Sequence, residues 1–170
     1  MSPVSVVPVD LASAIDAVER DLLARCPALA ACVVDWRAAA ALLAAGFARG
    51  GRLLLCGNGG SAADAEHWAG ELLKGFERRR GPPTDPGLDA DLAGGLEQGL
   101  PAIPLTGFTS LRSAVANDGD PRSAEAQLVA ALGRPGDMLA AISTSGGAEN
   151  VVRAARVAAA RNMDILGLTG

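Results

Sequence analysis

The sequence predicts an α/β fold, a three-layer αβα arrangement on a doubly wound parallel sheet, with N-terminal helices suited to oligomerisation. Three observations carry this expectation. Short apolar runs at 53–56, 100–105, 138–142 and 165–168 alternate with stretches of helical period, as strands do when their crossover connections are helices. Two of the runs, LLLC and MLAAI, pass directly into loops rich in glycine and hydroxyl residues, GNGGS (57–61) and STSGG (143–147), each of which opens a helix. Residues 10–49, by contrast, hold only helical pattern and more apolar surface than one sheet face requires.

In chain order, residues 10–25 place Leu11, Ile15, Val18, Leu22 and Leu23 at helical spacing with charge on the other face. Pro27 interrupts, and a second helix is expected from about Ala28 to Ala48, capped at Gly50-Gly51 where left-handed geometry is available. LLLC is bounded by glycine on both sides and is short, which suits a buried strand. Ser61 is expected to N-cap the helix 62–76, with Asp64 in its first turn. From Glu77 to Gly99 proline, glycine and aspartate dominate. This reads as a surface excursion with one helical turn near Asp89 to Leu96, and its Arg78-Arg79-Arg80 run reads as solvated surface. Leu100–Leu105 is a second strand, with prolines placed at its ends. A helix from about Ser110 to Ala116 leads into a polar turn, Asn117-Asp118-Gly119-Asp120, and another helix spans Ala124–Leu132. The turn Gly133–Asp137, a third strand Met138–Ile142, a helix Ala148–Arg161 and a fourth strand Ile165–Leu168 complete the pattern.

Composition narrows the function. A net charge of −4 with a single basic cluster argues against a general nucleic-acid binder. Charged residues are only 20% against 49% hydrophobic, so apolar surface must be hidden, as in an oligomer. The three cysteines cannot all pair within the chain and do not have zinc-site spacing; Cys56 reads as a small buried hydrophobe. With no recognisable signal peptide and no apolar span of membrane length, the expectation is a cytoplasmic protein without a membrane partner.

The chemistry concentrates in the two loops. Glycines at 57, 59 and 60 let a ligand approach the backbone, and the helix that follows offers unpaired N–H groups to a phosphate or a sugar hydroxyl. GNGGS lacks the lysine of a P-loop and the spacing of a dinucleotide fingerprint, so nucleoside phosphates are not indicated. Ser143, Thr144 and Ser145 with two glycines make a second anion cradle at a strand-to-helix junction. His67 and Glu71, four residues apart, share one helix face. The residues alone leave two readings of that pair open, a surface contact or an acid–base couple. In a parallel sheet both loops fall beyond the carboxyl ends of strands, so one shared cleft is expected there.

The pieces CGNGGSAADAEHWAGEL (56–72), LPAIPL (100–105), Ala116-Asn117-Asp118 and GDMLAAISTSGGAENVVRAA (136–155) together resemble the sugar isomerase (SIS) domain superfamily, and within it the sedoheptulose-7-phosphate isomerases. The resemblance covers roughly residues 10–170 and implies an SIS-type sheet core over about 52–170, preceded by a helical hairpin over about 10–49. It implies that Ser143, Thr144 and Ser145 hold the phosphate, and that Asn58, Gly59, Gly60 and Ser61 with Asn117 and Asp118 line the sugar. It also implies that Glu71 moves a proton in an aldose–ketose shift beside His67, that both ligate a divalent metal, commonly zinc, and that the chain works as a homotetramer. Two ligands on one helix fall short of the three or four that a zinc site takes. Family members continue past the strand ending Leu168-Thr169-Gly170 with a further strand and a helix bearing a Gln and a second His. These 170 residues do not include them, and Ala148 stands where many relatives add a polar phosphate contact. The last strand is therefore expected to present an apolar edge. Two functions follow: conversion of D-sedoheptulose 7-phosphate to D-glycero-D-manno-heptose 7-phosphate, or a non-catalytic phosphosugar-binding or protein-interaction module.

Overall fold

The computed structural model describes residues 11–76 and 79–170. Asp10, Glu77 and Arg78, which entered the expectations above, lie outside the described residues. Two compact units meet at Gly51 and Arg52, and each is taken by itself.

In the first unit, α1 (Leu11–Arg25) and α2 (Val33–Ala48) are joined through a 3-10 turn, Pro27–Cys32. The single helix expected from Ala28 begins instead as this tighter turn. Pro27 stands at its first position, where a missing N–H costs nothing, and the Leu29 amide donates to the Cys26 carbonyl at 3.0 Å. Arg37 on α2 reaches α1, pairing with Glu19 and, at 2.6 Å, with Asp16. The C-terminus of α2 closes as the glycine pair predicts. Gly50 has φ +80°, its amide donates to Phe47 O, and the Gly51 amide donates to Gly46 O, the two bonds of a Schellman cap. One expectation is corrected here. The continuous helical stretch Pro27–Ala48, 22 residues with a window of mean hydropathy 1.6, is by length and composition apolar enough to cross a membrane. Its runs of small alanines raise the mean without the bulky residues that made the other apolar segments conspicuous, and Arg37 within it is committed to α1.

The second unit is a four-stranded sheet in the order β2-β1-β3-β4, with every neighbouring pair parallel: β1 is Leu53–Cys56, β2 Ala102–Pro104, β3 Met138–Ile142 and β4 Asp164–Leu168. Register places Leu53 between Ala102 and Met138 and sets Cys56 beside Ala141. The chain leaves β1 toward β2 on one side and later returns to β3 on the other. Right-handed crossovers therefore lay the helices on opposite faces. On one face Leu54, Cys56, Leu139 and Ala141 pack with Leu128 and Val129 of α6 (Ala124–Leu132) and Val151, Ala154 and Ala158 of α7 (Glu149–Ala160). On the other, α3 (Gly60–Leu73) lies across β1, β2 and β3 with Ala65 and Ala69 buried. Strands covered on both faces read as unbroken apolar runs, and β1 and β3 are buried at every position.

Prolines behave as expected of an edge strand: Pro104 ends β2, and Pro101 lies just outside it, giving its carbonyl to the Leu53 amide at 2.9 Å. At the other side β4 leaves Ile165 and Leu168 37% and 40% exposed, the apolar edge foreseen for it. The 79–99 stretch contains one short helix, α4 (Ala90–Gly95), N-capped by the Asp89 carboxylate. The α5 helix runs Thr109–Asp118, so Asn117 and Asp118 finish a helix rather than form the expected turn; Gly119 ends it.

Two buried acids were not foreseen. Glu125 on α6 is paired with Arg112, and Asp137, before β3, receives the Arg52 amide at 2.9 Å, the Arg52 guanidinium at 2.6 Å and the Arg134 amide at 3.0 Å. Burial would raise the Asp137 carboxyl, but these donors outweigh it and hold the group below the ordinary carboxylate range. Burial, with Glu125 adding, pushes the Cys56 thiol up to about 12, as suits a residue acting only as core.

Candidate functional site

Both loops singled out by sequence lie at the carboxyl edge of the sheet, after β1 and after β3, which are hydrogen-bonded neighbours. This is the topological switch point, where α/β sheets open a crevice between oppositely directed crossovers. The two loops are therefore neighbours at that edge.

After Cys56 the backbone must turn sharply into α3. Gly57 sits so close to the first turn that a Cβ there would lie 2.6 Å from the Ser61 carbonyl oxygen. Gly59 adopts φ +55° and ψ −120°, a conformation that side chains rarely tolerate, and so becomes the N-cap of a helix beginning at Gly60. Ser61 is therefore not the cap. It lies within the first turn, 8% exposed, and Asp64 falls beyond that turn. The amides of Ala62 and Ala63 are spent on the Gly59 carbonyl. After β3, Ser143 is buried and its amide donates to Leu168 O at 2.9 Å, whereas Thr144 and Ser145 are exposed. Gly146 takes φ +65°, and the Gly147 amide donates to Ser145 Oγ at 3.3 Å, shaping the entry to α7.

One contact that sequence reasoning missed ties the two loops together. Asn58 Nδ2 donates to Asn150 Oδ1 and Asn150 Nδ2 donates to Asn58 Oδ1, both at 2.9 Å, across 92 residues of chain. Asn150 is the second residue of α7, and a lone asparagine in a first helical turn carries no signal that would have singled it out.

Beside this, Arg153 in the second turn of α7 donates to Glu149 Oε1, Asp120 Oδ2 and Ser123 Oγ at 2.8, 2.7 and 2.9 Å. It thus fastens the 119–123 loop to the helix that carries the second cradle. Asp120 is held well below the usual carboxylate range by hydrogen bonds from Arg122, with Arg153 adding to them; Glu149 is lowered by Arg153. An acid in the first turn of α7 is thereby neutralised next to a loop suited to anions. Asn117 and Asp118 hydrogen-bond one another at 2.7 Å, and among the described residues neither bonds to either cradle.

The His67–Glu71 pair is formed, with Nε2 to Oε1 at 3.0 Å, but it is set apart from the loops. The sheet-facing stripe of α3 is Ser61, Ala65 and Ala69. At about 100° per residue His67 points roughly 200° away from Ala65. It is 78% exposed and Glu71 38%. With a rise of about 1.5 Å per residue, the pair also lies roughly 10 to 16 Å along the axis from the helix start. Within one chain, then, the structure joins the two cradles and leaves the acid–base pair outside them. Arg80, expected in solvated surface, instead donates to the carbonyls of Glu71 and Leu72 at 3.1 and 2.6 Å, capping the end of α3. Among the described residues no three His, Cys, Asp or Glu side chains gather as metal ligands. His67 and Glu71 supply two donors of a set that zinc closes with three or four.

Comparison with known proteins places this geometry. The SIS domain family matches residues 34–170. A phosphoheptose isomerase of Thiobacillus denitrificans is 45% identical over 131 residues, 77% of this chain and 58% of that protein; one of Bordetella avium is 42% identical over 162 residues, 95% and 74%. Among solved structures, phosphoheptose isomerase GmhA from Neisseria gonorrhoeae superposes with TM-score 0.60 at 38% identity, covering 78% of this chain and 60% of that one. A phosphoheptose isomerase from Francisella tularensis gives 0.71 at 30% identity, covering 96% and 76%. The chain thus spans only 58% and 54% of the T. denitrificans and Roseiflexus relatives. A match over four-fifths of the sequence, with the same parallel sheet and both loops at its carboxyl edge, shows that this chain belongs to the SIS-domain family.

Proposed function

We propose that the protein is a phosphosugar isomerase converting D-sedoheptulose 7-phosphate to D-glycero-D-manno-heptose 7-phosphate in the cytoplasm, as a homotetramer. The observation that carries the reading is the pair of backbone cradles clasped at one switch point by Asn58 and Asn150. Phosphate rests on Ser143, Thr144, Ser145 and the amides leading into α7, and the sugar lies along Asn58, Gly59, Gly60 and Ser61 toward Asn117 and Asp118. Glu71 removes the C1 proton of the ketose and a proton is returned at C2 after an enediolate, while the O1 hydroxyl gives up its proton and the C2 carbonyl oxygen takes one; His67 holds the carboxylate and relays a proton. Because Glu71 and His67 face away from the cradles of their own chain, they act on sugar held by a neighbouring copy. The names of the relatives support the reaction, and the exposure of the pair supports the shared site.

The test is deuterium incorporation into sedoheptulose 7-phosphate in heavy water. Wild-type exchange that disappears in Glu71→Gln is the expected result. Mixing Glu71→Gln with Ser145→Ala chains, each inactive alone, should restore exchange if neighbours complete each site. Binding of the sugar phosphate with no exchange in the wild type would replace this reading with the second one, a non-catalytic phosphosugar-binding module, which the outward-facing pair would then favour.

A further inference from the structure

Resting on the reading above, we propose that Asn150 is a positioning residue. It fixes the Asn58 carboxamide so that the free N–H and lone pair of that one amide read a pair of adjacent hydroxyls on the sugar chain. A carboxamide carries two N–H donors and an oxygen with two lone pairs. In the reciprocal pair each residue spends one donor and one lone pair on the other, at 2.9 Å in both directions. One N–H and one lone pair remain free on Asn58, held in one orientation beside the first cradle. Asn58 is exposed, so these groups are open to a ligand.

The arrangement cannot drift one residue at a time. Rotating either carboxamide alone by a half-turn would set oxygen against oxygen and nitrogen against nitrogen, so each amide holds the other's orientation. The supports are rigid. Asn58 sits between Gly57, pressed on the Ser61 backbone, and Gly59, at a positive φ. Asn150 stands on the first turn of α7, whose next residue, Val151, is buried in the core. A fixed alternation of donor and acceptor fits a polyhydroxylated carbon chain, in which every hydroxyl both donates and accepts. A fully ionised phosphate, which only accepts, could use the N–H but not the lone pair, so only a hydroxylated ligand engages both halves.

The experiment compares two ligands on the full chain by calorimetry: inorganic phosphate, which probes the 143–147 cradle alone, and sedoheptulose 7-phosphate, which probes cradle and diol together. Asn150→Ala is expected to leave phosphate affinity within about twofold and to weaken sugar-phosphate affinity about tenfold, the worth of one to two neutral hydrogen bonds. Asn150→Gln, which keeps the carboxamide, should recover part of the loss. Asn58→Ala with Asn150→Ala should be no weaker than Asn58→Ala alone, because a residue that acts only through Asn58 has nothing left to position. Equal weakening of both ligands would assign Asn150 to the cradle's structure and overturn the proposal, as would additive losses in the double variant or an Asn150→Ala chain that binds the sugar phosphate like wild type. A wild-type chain that fails to bind the sugar phosphate at all would sink the isomerase reading together with this one. The other three outcomes sink the positioning role alone.

Discussion

Replacing Gly57 by alanine should destabilise the fold in a way that replacing Gly60, three residues on, does not. A Cβ at Gly57 would sit 2.6 Å from the Ser61 carbonyl oxygen, 2.7 Å from its carbon and 2.8 Å from its Cβ, whereas one at Gly60 meets nothing within 4 Å. The obstruction at Gly57 is backbone in the first turn of α3, so no side chain can swing aside. Restoring ordinary contact at 3.4 Å requires the loop to open by about 0.8 Å, at a cost of about 1–3 kcal/mol for overpacking. Carried onto Asn58, the same displacement stretches the 2.9 Å amide pair to about 3.7 Å, beyond hydrogen-bond range. Gly57→Ala should therefore unfold at lower urea concentration and bind sedoheptulose 7-phosphate at least about tenfold more weakly. Gly60→Ala enters a helix at a position without strain. It should gain about 0.4–1 kcal/mol through a less flexible unfolded chain, a rise in Tm of about 1–4 °C. Paired urea and thermal unfolding curves decide the matter. Equal losses in both variants, or a Gly57→Ala chain as stable as wild type, would refute the steric account of this loop.

Further outcomes follow from buried Asp137 and Cys56. Asp137→Ala leaves the Arg52 guanidinium, only 24% exposed, without its carboxylate partner and with only the Leu132 carbonyl to donate to, and should cost about 3 kcal/mol in denaturant unfolding at neutral pH. Because the folded-state pKa of Asp137 is lowered, its contribution is complete above the unfolded value of about 4 and disappears as pH falls through the folded value. The variant should accordingly show a flatter loss of stability in acid than wild type. Thiol alkylation at pH 8 should label exposed Cys26 and Cys32 rapidly and Cys56 only on unfolding, and a third fast thiol would contradict the buried placement of Cys56.

Much of this fold is legible in local pattern. MLAAI and AEAQLVAAL form β3 and α6 at the expected boundaries, because a buried parallel strand and an amphipathic helix each repeat one simple constraint over several residues. Boundaries shift where backbone geometry overrides side-chain preference. Ser61 has the chemistry of an N-cap, but Gly59 at φ +55° starts the helix earlier. Asn117 and Asp118 are turn formers by type, yet α5 continues through them until Gly119. The basic run reads as solvent-facing, but Arg80 is drawn to the free carbonyls at the end of α3. The Arg52–Asp137 and Arg112–Glu125 pairs join residues far apart in sequence, and no spacing rule reaches across such gaps.

The sequence by itself determined the alternation of strands and helices, the two glycine and hydroxyl loops at strand ends, and the His67–Glu71 pair on one helix face, since each depends on residues within a few positions of one another. Only the tertiary structure decided that β1 and β3 are neighbours, that Asn58 meets Asn150 between them, and that His67 and Glu71 turn outward from the cleft they were expected to share. Those facts depend on which way each crossover leaves the sheet and on the rotation of α3 about its axis. That rotation is set by the small residues Ser61, Ala65 and Ala69, which let the helix pack closely on the strands and so carry the acid–base pair to the far side.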